Sequence, residues 1–191
     1  MAKLVYAMIA SLDGYIADED GDFSWAEPDP EVHGFINELE RPLATYLYGR
    51  NMYEMMTAWQ DLPVDERAEM NDFAELWRAA DKIVYSTTLP EVSTPRTRLV
   101  RSFDPEAVAR LKDTSEGDIA VSGPGLAAHA LRAGLVDECH LFVVPVVRGG
   151  GLSWLPEGVR LDLELIEEKR FTGGVVFLRY GVKRGAPPAA R

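Results

Sequence analysis

Apolar residues in this chain follow two periods, which alternate along its length. Lys3 to Ala10 is apolar enough for an interior strand, and Asp13-Gly14 closes it with a turn. Asp18 to Pro30 is acidic and turn-rich, with Phe23 and Trp25 embedded, and reads as a loop anchored by its aromatic residues. Asp29-Pro30 then starts a helix, with an aspartate N-cap and proline at the first helical position, and Val32, Phe35, Ile36 and Leu39 fall on one face before Pro42. Ala44 to Tyr48 is a second strand, and Gly49-Arg50-Asn51 turns it into another helix. The spacing of Met70, Phe73, Ala74 and Trp77 predicts a helix over 65–80. Lys82 to Ser86 and Thr97 to Arg101 read as strands. Asp104-Pro105 opens a helix carrying Val108 and Leu111.

In the second half, Ile119 to Val121 is a short buried strand. Leu126, Ala127, Ala130 and Leu131 recur at helical spacing until Gly134. Cys139 to Val147 is a continuous apolar strand interrupted by Pro145, and Arg148-Gly149-Gly150-Gly151 follows as a flexible loop. Leu161, Leu163 and Leu165 alternate with acidic residues, and Val175 to Val182 is a last strand reached through Gly173-Gly174. These two runs form an expected antiparallel hairpin. The pattern predicts an α/β fold of three layers: a mixed, mostly parallel central sheet, helices on both faces and a C-terminal antiparallel hairpin. One domain over 1–184 is expected, with a disordered tail over 185–191. Ligands of such sheets sit at the carboxyl ends of strands, which here are the polar ends at Gly49, Ser86 and Ser122.

The stretch Asp118 to Leu135 carries the clearest chemistry. A strand, the turn Ser122-Gly123-Pro124-Gly125 and a helix N-terminus follow one another, so backbone N–H groups and the helix dipole point at whatever lies over the turn. Gly123 and Gly125 have no side chain to keep a phosphate away from the backbone. The same turn also serves as a tight connection with no ligand, and no G-x-G-x-x-G occurs.

Composition narrows the function. The chain has 191 residues and a net charge of −11, which disfavours nucleic acid and anionic membrane as partners. No apolar run reaches membrane-spanning length. Cys139 is the single cysteine, consistent with a reducing cytoplasm. His33, His129 and His140 lack metal-ligand spacing, so no metal is expected. An anionic ligand must be held by local groups against the overall charge, and Arg50 offers a planar fork suited to phosphate.

In family order, Ala10-Ser11-Leu12-Asp13-Gly14-Tyr15-Ile16-Ala17, Leu47-Tyr48-Gly49-Arg50-Asn51-Met52-Tyr53-Glu54, Lys82-Ile83-Val84-Tyr85-Ser86, the Ser122–Gly125 turn, and Pro145 through the triple glycine to Leu155-Pro156 resemble the dihydrofolate reductase superfamily. The likeness is to the branch holding the reductase domain of the riboflavin-biosynthesis deaminase–reductase, and it runs to about Val182. It implies NADPH. Gly49, Arg50 and Asn51 would receive the 2′-phosphate, and Ser86 and Thr87 would lie beside the adenosine. Ser122, Gly123, Pro124, Gly125 and Leu126 would hold the pyrophosphate, with Ala7 and Ile16 near the nicotinamide. Thr87 stands where relatives are often basic. The paired cysteines of a zinc deaminase are absent, so only a reductase step is expected.

Asp13 could orient substrate hydroxyls or relay a proton, or simply cap its own turn. The resemblance implies an acid at the helix after the first loop, which is Glu31 or Asp29; Glu31 could protonate a substrate as hydride arrives, or merely stabilise a helix N-terminus. Trp25 and Phe35 are candidates to stack on a flat substrate, as is Phe23, although such aromatics also serve as anchors. The expected function is NADPH-dependent reduction of a small heterocycle, similar to 5-amino-6-(5-phosphoribosylamino)uracil or dihydrofolate reduction. The alternative is a non-catalytic nucleotide-binding regulatory protein of the same fold. The apolar excess of 140–147 and the hairpin, with the resemblance, predicts a homodimer.

Overall fold

In the computed structural model, residues 1–64 and 66–183 are described. Asp65, which opens the predicted third helix, and the tail expected over 185–191 lie outside the described residues, as does residue 184 at the expected domain boundary. The elements are β1 (Leu4–Ser11), β2 (Tyr15–Ala17), α1 (Pro30–Glu40), β3 (Leu43–Gly49), α2 (Arg50–Met56), α3 (Ala68–Ala79), β4 (Asp81–Tyr85), β5 (Thr97–Val100), α4 (Pro105–Thr114), β6 (Asp118–Ser122), α5 (Pro124–Arg132), β7 (Glu138–Val144), β8 (Leu152–Ser153), β9 (Leu163–Arg170) and β10 (Val176–Val182). Among the described residues, eight strands form one sheet in the order β5-β4-β3-β6-β1-β7-β10-β9. The first six run parallel, and β10 pairs antiparallel with both β7 and β9.

Side-chain alternation along these strands feeds cores on both faces. On one face Leu4, Tyr6, Leu47, Ile83 and Val121 pack with Val108 of α4 and Leu126 and Leu131 of α5. On the other, Tyr46, Tyr48 and Val84 pack with Phe73 and Trp77 of α3, and Phe142 and Phe177 with Val32 of α1. The helix starts follow their cap chemistry. Asp29 Oδ1 accepts from Val32 N at 2.9 Å, and Asp104 Oδ1 from Glu106 N at 3.0 Å.

The topology sets the ligand end. From β3 the chain moves outward to β4, whereas from β6 it crosses β1 to reach β7. Connections therefore diverge between the neighbours β3 and β6, the switch point where such sheets open a crevice at their carboxyl ends. Tyr48 and Ser122 are paired there.

Three local expectations change. β7 ends at Val144, because Pro145 has no N–H to donate to the ladder. Leu161 precedes β9, which starts at Leu163 and runs to Arg170, with a register shift opposite Arg179/Tyr180. As an edge strand paired only with β10, β9 tolerates charged residues beyond its apolar alternation. The glycine loop is tethered rather than free. β8 pairs antiparallel with β2, and Gly151, at φ +122°, lies so close to Ala17 that an added Cβ would sit 2.1 Å from its carbonyl oxygen.

Candidate functional site

At the switch point α2 and α5 begin side by side. A Cβ added to Gly123 would lie 3.6 Å from Met52 Cβ, and one added to Gly49 would lie 3.9 Å from Leu126 Cβ. Gly123 holds φ +88° and caps α5 with no side-chain hydrogen bond, and Pro124 follows at the first turn. The first intrahelical bond runs from Ala127 N to Gly123 O at 3.0 Å. The N–H groups of Gly125 and Leu126 precede it and face out along the helix axis. An added Cβ at Gly125 would meet nothing within 4 Å, so the approach to this turn is open. α5 buries Leu126, Ala127, Ala130 and Leu131, the residues whose spacing predicts it.

Arg50, at the start of α2, connects this end to the next one. Its Nε donates to Glu54 Oε1 at 2.8 Å and its Nη1 to Thr88 Oγ1 at 3.2 Å. Gly49 pairs with Tyr85 across β3 and β4, so the ends at Gly49, Ser86 and Ser122 form one rim. Asn51 and Thr87 are exposed on it. Ser86 is buried, and its Oγ accepts from Thr88 N at 3.2 Å and Leu89 N at 2.9 Å, so its oxygen shapes the turn. The other cations of these strands are engaged elsewhere or lie away from the rim. Arg101 donates to the carbonyls of Ser86, Leu89 and Pro90. Lys82 is buried at the far end of β4, where its Nζ donates to Trp77 O and Ala80 O, both at 2.9 Å. Burial there pushes its ammonium down to about 8.

A second group gathers around residues 148–151. Asp13 accepts from Ser11 Oγ at 2.6 Å, Gly149 N at 2.7 Å and Arg148 N at 3.1 Å. The Ser11 hydroxyl first, and then the Gly149 amide, hold its carboxyl down to about 2. Asp13 is therefore a carboxylate at neutral pH, able to accept hydrogen bonds and tether a loop but carrying no proton to give. The Trp25 ring lies under Arg148, 4.7 Å from Cζ to the centroid, and its Nε1 donates to Asp22 O at 3.1 Å. Phe23 is exposed. Glu31 Oε2 accepts from Thr172 N at 3.0 Å, which joins the start of α1 to the β9–β10 turn. Phe35 sits edge-on to Phe142, Phe171 and Phe177 at 5.0–6.3 Å, within an aromatic cluster. Ala7 is half-buried in mid-β1 beside His140, and Ile16 is half-buried in β2.

Thr88, Glu54 and Arg101 are the rim residues that the sequence reading misses. Glu54 alone had a local signal, four residues after Arg50 on a helix. Cys139 is buried in the core, where burial pushes its thiol up to about 11, and it takes no part in the rim. Among the described residues, no group of histidine, cysteine or acidic side chains could hold a metal ion, and no helix is long and apolar enough to cross a membrane.

This architecture recurs in known proteins. The chain is 29% identical over 184 residues to the uncharacterized protein YyaP of Bacillus subtilis (strain 168), covering 93% of this chain and 94% of that protein. A crystal structure of a putative riboflavin biosynthesis protein from Shewanella sp. PV-4 superposes with a TM-score of 0.75 at 25% identity, covering 96% of this chain and 100% of the other. Dihydrofolate reductase from Enterococcus faecalis, solved with NADP(H), matches with a TM-score of 0.63 at 14% identity over 94% of this chain and 96% of that one. The fold is thus dihydrofolate reductase-like, with a mostly parallel eight-stranded sheet and antiparallel C-terminal strands. The family model described as RibD C-terminal domain matches residues 2–177, and the chain belongs to that reductase-type family.

Proposed function

We propose that the protein is an NADPH-dependent reductase of a small heterocyclic substrate, close in type to 5-amino-6-(5-phosphoribosylamino)uracil reductase. The observation that carries this reading is that α2, whose first residue is Arg50, and the open, uncapped α5 begin side by side at the switch point. A cation beside exposed backbone donors fits a dinucleotide bearing both a pyrophosphate and a separate phosphate. When bound, NADPH supplies the hydride. Arg50 would hold the 2′-phosphate, and Gly123, Gly125 and Leu126 would offer backbone to the pyrophosphate. Asp13 and Trp25 act in this reading by fixing the loops that frame the site. With the Asp29 carboxylate engaged in capping α1, Glu31 is the candidate this reading keeps for proton delivery. Substrate choice falls to the loops.

The test is a titration with NADPH and with NADH, read by energy transfer from tryptophan. A turnover screen over pterins, ribitylated pyrimidine precursors and quinones follows. NADPH binding in the micromolar range with turnover of one heterocycle is the expected result. No binding at millimolar cofactor overturns the reading. Binding without turnover across the screen selects the alternative, a non-catalytic nucleotide-binding protein.

A further inference from the structure

Arg50 does not stand alone at the rim. Its side chain and that of Glu54 are each 46% exposed, and in water an arginine so exposed samples many rotamers. Here it is held from two sides, by Glu54 Oε1 at Nε, 2.8 Å, and by Thr88 Oγ1 at Nη1, 3.2 Å. Glu54 lies four residues on, on the same face of α2, so the two side chains meet without distortion. The contacts come from different elements, α2 and the loop after β4, which fixes the plane of the guanidinium as well as its position.

The consequence concerns which part of the fork a ligand can use. Glu54 takes Nε, leaving Nη2 and the second hydrogen of Nη1 for an incoming phosphate. α2 has only seven residues, so the charge of Arg50, rather than the helix end, has to provide the grip. Arg101 and Lys82 cannot substitute, since backbone carbonyls take up both. Glu54 also places a negative charge near that phosphate. Both groups are half-exposed, so water and salt screen this repulsion, while the hydrogen bond at Nε acts directly. Orientation therefore outweighs repulsion.

We propose that Glu54 is a positioning residue for cofactor selectivity: by holding Nε of Arg50, it presents the Nη edge to the phosphate monoester that distinguishes NADPH from NADH. This rests on the assignment of the 2′-phosphate to Arg50. The experiment measures dissociation constants for NADPH and NADH, with melting temperatures, in the wild type, Glu54→Ala, Glu54→Gln and Arg50→Ala. Glu54→Ala should raise the NADPH constant about three- to tenfold, the range for immobilising one rotamer-rich side chain on binding. NADH binding and the melting temperature should stay unchanged. Glu54→Gln keeps an oxygen that accepts from Nε, so it should recover most of the loss. Tighter NADPH binding by Glu54→Ala would overturn the proposal by showing a competing carboxylate. An equal loss for both cofactors, or no change for either, would overturn it too. If Arg50→Ala leaves NADPH binding intact, the phosphate assignment itself fails, whatever Glu54 does.

Discussion

Asp13 and Glu31 look alike in the sequence, two acids at the edges of one loop, but their surroundings separate them. Asp13 is held at about 2 by the Ser11 hydroxyl and the amides of Gly149 and Arg148, so it stays ionised across any working pH. Glu31 is exposed and accepts one amide, that of Thr172, through Oε2. Of these two acids, the proposed reaction keeps Glu31 as its candidate for proton delivery. Replacing Glu31 with glutamine should lower kcat about 10²- to 10⁴-fold, the usual range for removing a general acid. NADPH affinity should hold. An unchanged rate of single-turnover hydride transfer in this variant would assign the proton to solvent.

At the level of elements, the β6–α5 turn and the β2–β8 pair use glycine for different reasons. Gly123 sits at φ +88°, and a Cβ there would meet Met52 Cβ at 3.6 Å, an ordinary contact. The obstacle to a side chain is thus the backbone conformation, costing about 1–3 kcal/mol for a β-branched residue. Gly123→Val should accordingly weaken NADPH by more than it lowers stability, because the strained turn shifts the Gly125 and Leu126 amides. Isothermal titration beside urea melts checks this. Collapsed stability with normal binding by the folded remainder would make the turn purely structural. Gly151 is constrained by space as well, with the Ala17 carbonyl 2.1 Å from where a Cβ would stand.

For the whole molecule, the far end of the sheet bears on stability. Glu138 is buried at the start of β7, where burial alone would raise its pKa. Hydrogen bonds from Arg179 Nε at 2.8 Å, Lys3 Nζ at 2.7 Å and His140 at 3.1 Å outweigh that and hold it at about 2. A carboxyl depressed in the fold contributes stability above its unfolded pKa and loses it as pH falls through the folded one. His140, pushed below its usual value by burial, acts in the same direction, since unfolding lets it take up a proton. Urea stability should fall from about pH 6 downward and steeply between about pH 4.5 and 2. Glu138→Gln should cost about 3–5 kcal/mol at pH 7, as for a broken buried pair, and flatten the acid limb. A variant with an unchanged acid limb would exclude Glu138 as the titrating group. The same strands bear on assembly. Met8, Leu141, Val143, Val176 and Leu178 alternate onto one half-buried sheet face, and Leu165 at its edge is 48% exposed. We propose a second copy of the chain as its cover. Light scattering at tens of micromolar should give twice the chain mass, and a monomer there would remove the dimer.

The sequence by itself determined the alternation of strands and helices, the inward faces of α1, α3 and α5, and the three polar strand ends. Each of these is local. Period, cap and turn chemistry are written within a few residues, as in Asp29-Pro30 or Leu126-Ala127-Ala130-Leu131. Only the tertiary structure decided the partners. Arg50 meets Thr88 from 38 positions away, Glu31 meets Thr172 from 141, and Asp13 meets Gly149 from 136. β2 and β8 are too short to show any period and exist because the chain brings them together. Phe35 reads equally as a ligand platform or as core until Phe142, Phe171 and Phe177 close around it. A side chain's type and spacing are local properties, but its hydrogen-bond partners and its share of water depend on which strands the topology makes neighbours, and those decide whether a carboxylate anchors a loop, orients a cation or carries a proton.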